Sequence, residues 1–341
     1  MITNRILPGN NMDTLKTLPD CSVHCCVTSP PYYGLRDYGI EGQIGLEETP
    51  DEYIEKLVLI FREVRRVLRD DGTLWLNIGD SYAGSGKGGQ SEDKKSTNWQ
   101  PRYANHGKAY GLKPKDLIGI PWMLAFALRA DGYYLRQDII WAKPSTMPES
   151  VRDRFCKSHE HIFLLSKNAK YYFDQRYALE PATGYDGRKD TVMKGSVKYG
   201  EEGATGLSQQ SFAARGHERW PQRGYAVKPG ETGLSVQNHG ESIPTNPMRT
   251  RRDVWVVASD PSELPHFAMY PQKLILTCVL CGCPENGIVL DPFMGAGTTA
   301  IVAMKLFRRY IGCELNPEFI EIAERRIAGE KGLFDDEEIL S

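Results

Sequence analysis

Apolar residues return at helical intervals along some stretches of this chain and form short, nearly continuous runs in others, and the two patterns interleave. Ile54, Leu57, Val58, Phe61, Val64, Val67 and Leu68 recur at the 3.6-residue spacing of a helix with one buried face. Thr49-Pro50-Asp51-Glu52, just before them, has the layout of a capping box with proline at the first helical position. The pattern predicts a helix that stops at Asp71-Gly72. The runs 23–27 and 73–78 predict short buried strands. The first of them ends at Thr28-Ser29-Pro30-Pro31-Tyr32, where two prolines forbid both helix and ladder. Further helices are expected over 117–128, 272–281, from the glycine turn to 306, and over 317–327, with strands over 133–141, 161–165, 287–291 and 309–314. Such alternation predicts an α/β protein with a doubly wound, mainly parallel sheet covered on both faces.

Two stretches break the rhythm. Residues 84–113 are rich in Gly, Ser and Lys and predict a mobile loop; residues 183–252 carry Gly, Gln, Ser, Arg and isolated aromatics without a sustained apolar period. The second predicts a loop-rich insertion, dividing the chain into 1–182, 183–252 and 253–341.

Composition narrows the class. With 341 residues, 40% hydrophobic and 25% charged, the chain suits a soluble enzyme core, and no apolar run approaches the roughly 20 residues that cross a bilayer. No signal-peptide layout opens it, so a cytoplasmic location without membrane contact is expected. The 8 cysteines are then expected as reduced, mostly buried thiols. Cys278-x-x-Cys281-x-Cys283 lacks a second pair at zinc-finger spacing and reads as core. The net charge of −2 hides a segregation. Acidic clusters lie at Glu47-Glu48 and Asp335-Asp336-Glu337-Glu338, while Arg215, Arg219, Arg223, Lys228, Arg249, Arg251 and Arg252 crowd one polar stretch. Such a stretch, taken alone, is a solvated loop as readily as a nucleic-acid contact.

Two motifs carry chemistry. The apolar run 288–290 ends at Asp291 and feeds Pro292-Phe293-Met294-Gly295-Ala296-Gly297-Thr298-Thr299-Ala300, a glycine turn that opens a helix and lets a ligand approach the backbone. Gly295-x-Gly297-x-x-Ala300, with Glu314 after the next strand, also satisfies the dinucleotide fingerprint, so an NAD-dependent dehydrogenase has to be weighed. Asp291 argues against it. A carboxylate there would face the pyrophosphate it should avoid, yet it suits the cationic methionine end of S-adenosylmethionine, and its removal should abolish cofactor binding while leaving the fold intact.

The second motif is Thr28-Ser29-Pro30-Pro31-Tyr32. In these residues the sequence resembles the amino-methyltransferases of DNA, whose hallmark is Asp, Asn or Ser followed by Pro-Pro-Tyr or Pro-Pro-Phe. The substrate this implies, an exocyclic amine, has its lone pair delocalised into the ring and attacks poorly until acceptors hold its two hydrogens. Ser29 Oγ and the Pro30 carbonyl are then the candidate acceptors on a turn stiffened by the proline pair, and Tyr32 would stack on an extruded base. The order of catalytic motif, basic stretch and cofactor motif resembles the permuted beta arrangement of that family. Leu18-Pro19-Asp20-Cys21-Ser22-Val23, Gly72-Thr73-Leu74-Trp75-Leu76-Asn77, Trp141-Ala142-Lys143-Pro144, Ser158-His159-Glu160-His161 and Phe267-Ala268-Met269-Tyr270-Pro271-Gln272-Lys273-Leu274 extend the resemblance over most of the chain.

The resemblance implies a Rossmann-like methyltransferase fold, S-adenosyl-L-methionine as cofactor and double-stranded DNA as partner. It implies that Asp291, Phe293, Gly295, Gly297, Thr298 and Thr299 contact the methionine part, Glu314 the ribose, and Asn10, in place of the usual Asp, the adenine. The Ser form of the motif is associated mainly with cytosine N4 and the Asp form with adenine N6, so N4 is the expected target and N6 the alternative. Arg215, Arg219 and Arg223 are the expected base readers in the insertion. A homodimer and a cognate restriction endonuclease are compatible with the class and fixed by nothing in the sequence. A protein or RNA methyltransferase is disfavoured by the basic insertion, and an inactive DNA-binding protein by the intact motifs. His159 and His161 are expected as structural residues. No proline is followed by Cys, which disfavours C5 chemistry.

Overall fold

The structure is a computed structural model. It describes residues 3–83, 112–146, 149–181, 248–259 and 269–334. The expected loop over 84–113 and the expected insertion, with Arg215, Arg219 and Arg223, lie almost entirely outside these residues.

An eight-stranded sheet is the spine. Its strands are β1 (Arg5–Pro8), β2 (Val23–Thr28), β3 (Leu68–Ile78), β4 (Tyr134–Ala142), β5 (His159–Ser166), β8 (Val254–Val256), β9 (Ile288–Asp291) and β10 (Arg309–Glu314), in the spatial order β1-β10-β9-β2-β3-β5-β4-β8. Every pairing is parallel except those of β5 with β3 and β4. The helices are α1 (Asn11–Lys16), α2 (Pro50–Val67), α3 (Ile120–Ala130), α4 (Gln272–Gly282), α5 (Thr298–Lys305) and α6 (Pro317–Phe334). Contacts divide the chain into two units, one of Met1–Ala178 with Arg252–Ser341, the other of Leu179–Arg251. Within the second, β6 (Leu179–Pro181) pairs antiparallel with β7 (Met248–Thr250), and Arg249 bonds Glu180.

Strand alternation sorts the core into two layers. Cys26, Leu74, Phe163, Leu165 and Leu290 point to the face covered by α2 and α3, through Tyr53, Leu57, Phe61, Leu124 and Leu128. Their chain neighbours Cys25, Trp75, Ile162, Leu164 and Val289 point to the other face, against Leu274, Cys278 and Cys281 of α4, Ile301 of α5 and Ile327 of α6. Cys278, Cys281 and Cys283 are thus core residues, and burial pushes the Cys283 thiol up to about 12. Among the described residues, no helix is long and apolar enough to cross a membrane.

Several boundaries differ from the sequence pattern, among them the end of the last helix, which runs to Phe334 and not to 327. Thr49 caps α2 as expected, its side chain accepting from the Glu52 N–H at 2.8 Å. The helix stops at Val67 and not at Asp71-Gly72, because Leu68 turns extended (φ −61°, ψ 137°) and pairs with Val23. Strand β3 therefore starts five residues before Thr73, the expected start, and a register shift between Val23 and Cys25 absorbs the irregularity. The helix expected over 117–128 begins at Ile120, where the Asp80 carboxylate accepts the Gly119 and Ile120 N–H groups at the start of α3.

Candidate functional site

A cavity of about 380 Å³ opens at the carboxyl edge of the sheet. In an open α/β sheet the strand ends on either side of a reversal in strand order leave such a crevice. Here β9 and β2 are those neighbours, with the glycine turn following one and the proline turn the other. One wall holds Asn10, Phe293, Gly295, Glu314, Asn316 and Phe319; the other holds Ser29, Pro30, Tyr32, Asn77, Lys143 and Glu160.

On the first wall, Gly295 takes φ 52° and Gly297 φ 83°, left-handed values that cost glycine little. The Gly295 N–H donates to Glu314 Oε2 at 2.7 Å and the Asn316 N–H to Oε1 at 2.8 Å, so one carboxylate fixes the turn and the end of β10 together. Burial raises the Glu314 pKa, and those backbone N–H bonds partly offset it. Asn10 caps α1, its Oδ1 accepting from the Met12 N–H at 2.8 Å, and also lines the cavity.

Asp291 lies beneath this wall and is 1% exposed. Its carboxylate accepts from Thr28 Oγ1 (2.6 Å), Thr299 Oγ1 (2.5 Å), Tyr270 Oη (3.1 Å) and the Phe293 N–H (3.0 Å). Burial raises its pKa; the four donors pull the other way. Of the eight residues expected at the cofactor, Asn10, Phe293, Gly295 and Glu314 line the cavity, whereas Asp291, Gly297, Thr298 and Thr299 do not. Gly297 serves packing, since a Cβ there would sit 3.0 Å from Ala323 Cβ of α6.

On the second wall, Tyr53 of α2 donates to the Pro31 carbonyl at 2.8 Å and pins the proline turn from below. The Pro30 carbonyl accepts no hydrogen bond among the described residues, and Pro30 and Ser29 both line the cavity. Ser29 Oγ donates to Tyr32 Oη over 3.5 Å, and Tyr32 Oη donates to Glu160 Oε2 at 2.6 Å. Glu160 also accepts from Asn77 Nδ2 at 3.2 Å and pairs with Lys143 Nζ, which lies 4.2 Å from the centre of the Trp141 ring. Antiparallel register sets Trp141 opposite Glu160, so the strand ends place these groups side by side. Tyr32 is thereby held from its hydroxyl end, and desolvation followed by the Glu160 charge keeps its pKa well above 10.0. Gly79 makes room for the ring, because a Cβ at that position would stand 2.7 Å from Tyr32 Cε2.

Ser29, Pro30, Pro31 and Tyr32 of the proline motif all line the cavity, and Thr28 lies buried behind them on Asp291. Sequence reasoning assigned no role to Asn77, Lys143 or Glu160, although each lies in a segment that carries the resemblance. It also missed the segment after Tyr32. Leu35, Arg36, Tyr38 and Ile40 line the cavity, the Gly34 N–H closes the segment onto the Gly45 carbonyl at 2.8 Å, and Tyr38 packs edge-on against Phe319. His161 bonds Asp138 at 2.9 Å and stacks on Phe163, within the fold and outside the cavity lining.

A mainly parallel sheet with a glycine turn and a Ser-Pro-Pro-Tyr turn at adjacent strand ends defines a Rossmann-like methyltransferase. The chain belongs to the N6/N4 DNA methylase family, whose model matches residues 23–325. It is 41% identical over 325 residues to the type II methyltransferase M.Cfr9I of Citrobacter freundii, covering 95% of this chain and 88% of that one. It is 42% identical over 323 residues to M.SmaI of Serratia marcescens, covering 95% and 90%. Among solved structures, the PvuII DNA methyltransferase (cytosine-N4-specific) superposes with a TM-score of 0.59 at 16% identity, covering 98% of this chain and 91% of that one. A candidate DNA modification methylase from Thermus thermophilus, solved with S-adenosyl-L-methionine, gives 0.53 at 21% identity, covering 96% and 93%. The protein is a DNA methyltransferase of the N4/N6 class.

Proposed function

We propose that the protein transfers a methyl group from S-adenosyl-L-methionine to the exocyclic N4 of a cytosine extruded from duplex DNA. The observation that carries this reading is the cavity in which the free Pro30 carbonyl and Ser29 Oγ stand across from Phe293, Gly295 and Glu314. Its volume lies in the range of cofactor sites, about 300–1,000 Å³. The residues fit the cofactor: Glu314 offers the ribose hydroxyls an acceptor, the glycine turn offers close backbone approach, and Asp291, buried beneath the wall, holds the start of that turn through the Phe293 N–H and acts on the cationic methionine end only from below. When bound, the cofactor supplies an electrophilic methyl group.

The protein's part is to make the amine a nucleophile. Ser29 Oγ spends its own proton toward Tyr32, leaving lone pairs for one amine N–H, while the Pro30 carbonyl takes the other. Held in this way the nitrogen moves toward tetrahedral geometry, and groups fixed beforehand need no reorganisation during the reaction. The Tyr32 ring, tied to Glu160, offers its face to the base. Ser29 supplies a neutral acceptor, the form of the motif associated with cytosine N4, and the PvuII methyltransferase is cytosine-N4-specific.

Base reading by Arg215, Arg219 and Arg223 and a recognition role for 183–252 belong to the same proposal. Replacing all three arginines should weaken DNA binding and flatten its salt dependence. The deciding experiment is incubation with unmethylated genomic DNA and labelled cofactor, followed by nucleoside mass spectrometry. N4-methylcytosine is expected; dominant N6-methyladenine would overturn the cytosine assignment and favour the adenine alternative.

A further inference from the structure

The side chain of Phe155 is 96% exposed, far beyond the other large apolar residues of the described structure, of which Val256 reaches 68% and Phe307 61%. A single exposed apolar side chain is ordinary on a protein surface, so what distinguishes this ring is its place beside the active cavity. Phe155 sits in the connection between β4 and β5, whose flanking residues Lys143 and Glu160 both line the active cavity. Between those two residues the Lys143 N–H donates to the Ser158 carbonyl at 2.8 Å, closing the neck of the connection at the rim of the site.

The backbone around the ring is pinned. Arg154 lies 4.0 Å over the Tyr82 ring, pairs with Glu149 at 2.5 Å and donates to the carbonyl of Phe155 itself at 3.1 Å. On the other side Lys157 Nζ donates to the Asp80 carbonyl, and Asp80 in turn caps α3. Lys115 pairs with Asp153. A side chain projecting from so many anchors loses little freedom when it is inserted into a partner. One free cation stands beside it: Arg152, exposed and without a hydrogen bond or ion pair among the described residues, whereas Arg154 and Lys157 are engaged as anchors.

We propose that Phe155 is a wedge that enters the DNA helix beside the target base and occupies the space left when that base swings into the cavity. An enzyme of this class acts on an amine that is paired inside the duplex, and extrusion costs unstacking and unpairing. Apolar side chains placed between base steps, with cations on the neighbouring phosphates, offset that cost in other DNA-bending proteins. The inference rests on the DNA methyltransferase class and is independent of which base is methylated.

The test compares wild type, Phe155→Ala and Phe155→Trp on two duplexes that carry the sequence methylated in genomic DNA. In one duplex the target base is correctly paired; in the other it faces an abasic site, so that little extrusion cost remains. Phe155→Ala should lower kcat/KM on the paired duplex by about tenfold and on the abasic duplex by less than about twofold, and Phe155→Trp should restore most of the loss. Affinity for S-adenosylhomocysteine and the melting temperature should not move. An equal loss on both duplexes, or no loss on either, would overturn the wedge. So would a change of sedimentation coefficient in Phe155→Ala, which would assign the ring to a contact between copies of the chain.

Discussion

Replacing Asp291 separates two tasks open to a buried carboxylate, fixing a turn and attracting a cation. Asp291→Ala removes the acceptor of four donors. Thr299 can turn to the Val27 carbonyl, 3.5 Å away, and Tyr270 can pair with Thr299, but Thr28 and the Phe293 N–H keep no acceptor. Two stranded buried donors, at about 1–3 kcal/mol each, and a small cavity give a loss on the order of 3–5 kcal/mol. Total stability is only about 5–15 kcal/mol. At roughly 2–4 °C per kcal/mol the melting temperature should fall by about 10 °C, so this burial argues against the expectation that alanine leaves the fold intact. Asp291→Asn is the cleaner change. Its Oδ1 keeps Thr28 and Phe293, and its amide donates to the Tyr270 and Thr299 hydroxyls, which rotate to accept; the cost should stay near about 1 kcal/mol. It also removes the charge, so affinity for S-adenosylhomocysteine should drop about tenfold. Burial raises the Asp291 pKa, so the folded state holds its proton more tightly than the unfolded chain. Stability should therefore fall as pH rises from 3.8 through the raised value, and Asp291→Asn should remove that slope. Scanning fluorimetry and titration calorimetry read both effects. A melting temperature within about 2 °C of wild type for Asp291→Ala would refute the anchoring argument, and an unchanged affinity for Asp291→Asn would refute the role toward the cation.

Gly79→Ala should drive a methyl group into the Tyr32 ring and slow methylation by about tenfold without touching cofactor affinity; single-turnover kinetics and calorimetry together check it. Glu160→Gln leaves Lys143 without its counter-charge and loosens Tyr32, so kcat should fall by about tenfold with little change in KM, whereas a change in KM alone would contradict a positioning role. Burial raises the Glu314 pKa above 4.5, and on the proposed reading protonation would remove the acceptor for the ribose hydroxyls. Affinity for S-adenosylhomocysteine should therefore weaken as pH falls through that raised value, and Glu314→Gln should show weaker but pH-independent binding.

Helix α2 was legible because its cap, its proline and its apolar face agree, and β9, β10 and α5 because a continuous apolar run, a glycine turn and a second run leave few alternatives. The start of β3 was not legible. Whether Leu68 continues the helix or joins the sheet depends on its partner Val23, which lies far off in sequence. Ser29, Pro30 and Tyr32 were visible because their chemistry is compressed into one turn. The roles of Asn77, Lys143 and Glu160 were not, since the three come from β3, the end of β4 and β5, and only the register of β5 on both β3 and β4 brings them together. The division of the glycine motif into cavity-lining and buried members was equally hidden. Pattern shows that Gly295 and Gly297 matter, but only packing shows that one meets the cavity and the other meets Ala323.

The neighbours β2 and β9 come from opposite parts of the chain, and Thr28 reaches Asp291 across 263 positions. During synthesis the proline turn therefore leaves the ribosome long before the strand that completes its site. A nascent chain that has not yet reached Ile288 possesses Ser29 and Tyr32 but lacks Asp291, Gly295 and Glu314, and the central sheet has an open edge where β9 belongs. Closing so long a loop adds little to the free energy of folding but places the step late. Catalytic competence consequently arrives all at once and last, so an incomplete chain exposes an unpaired strand edge and has no capacity to modify DNA.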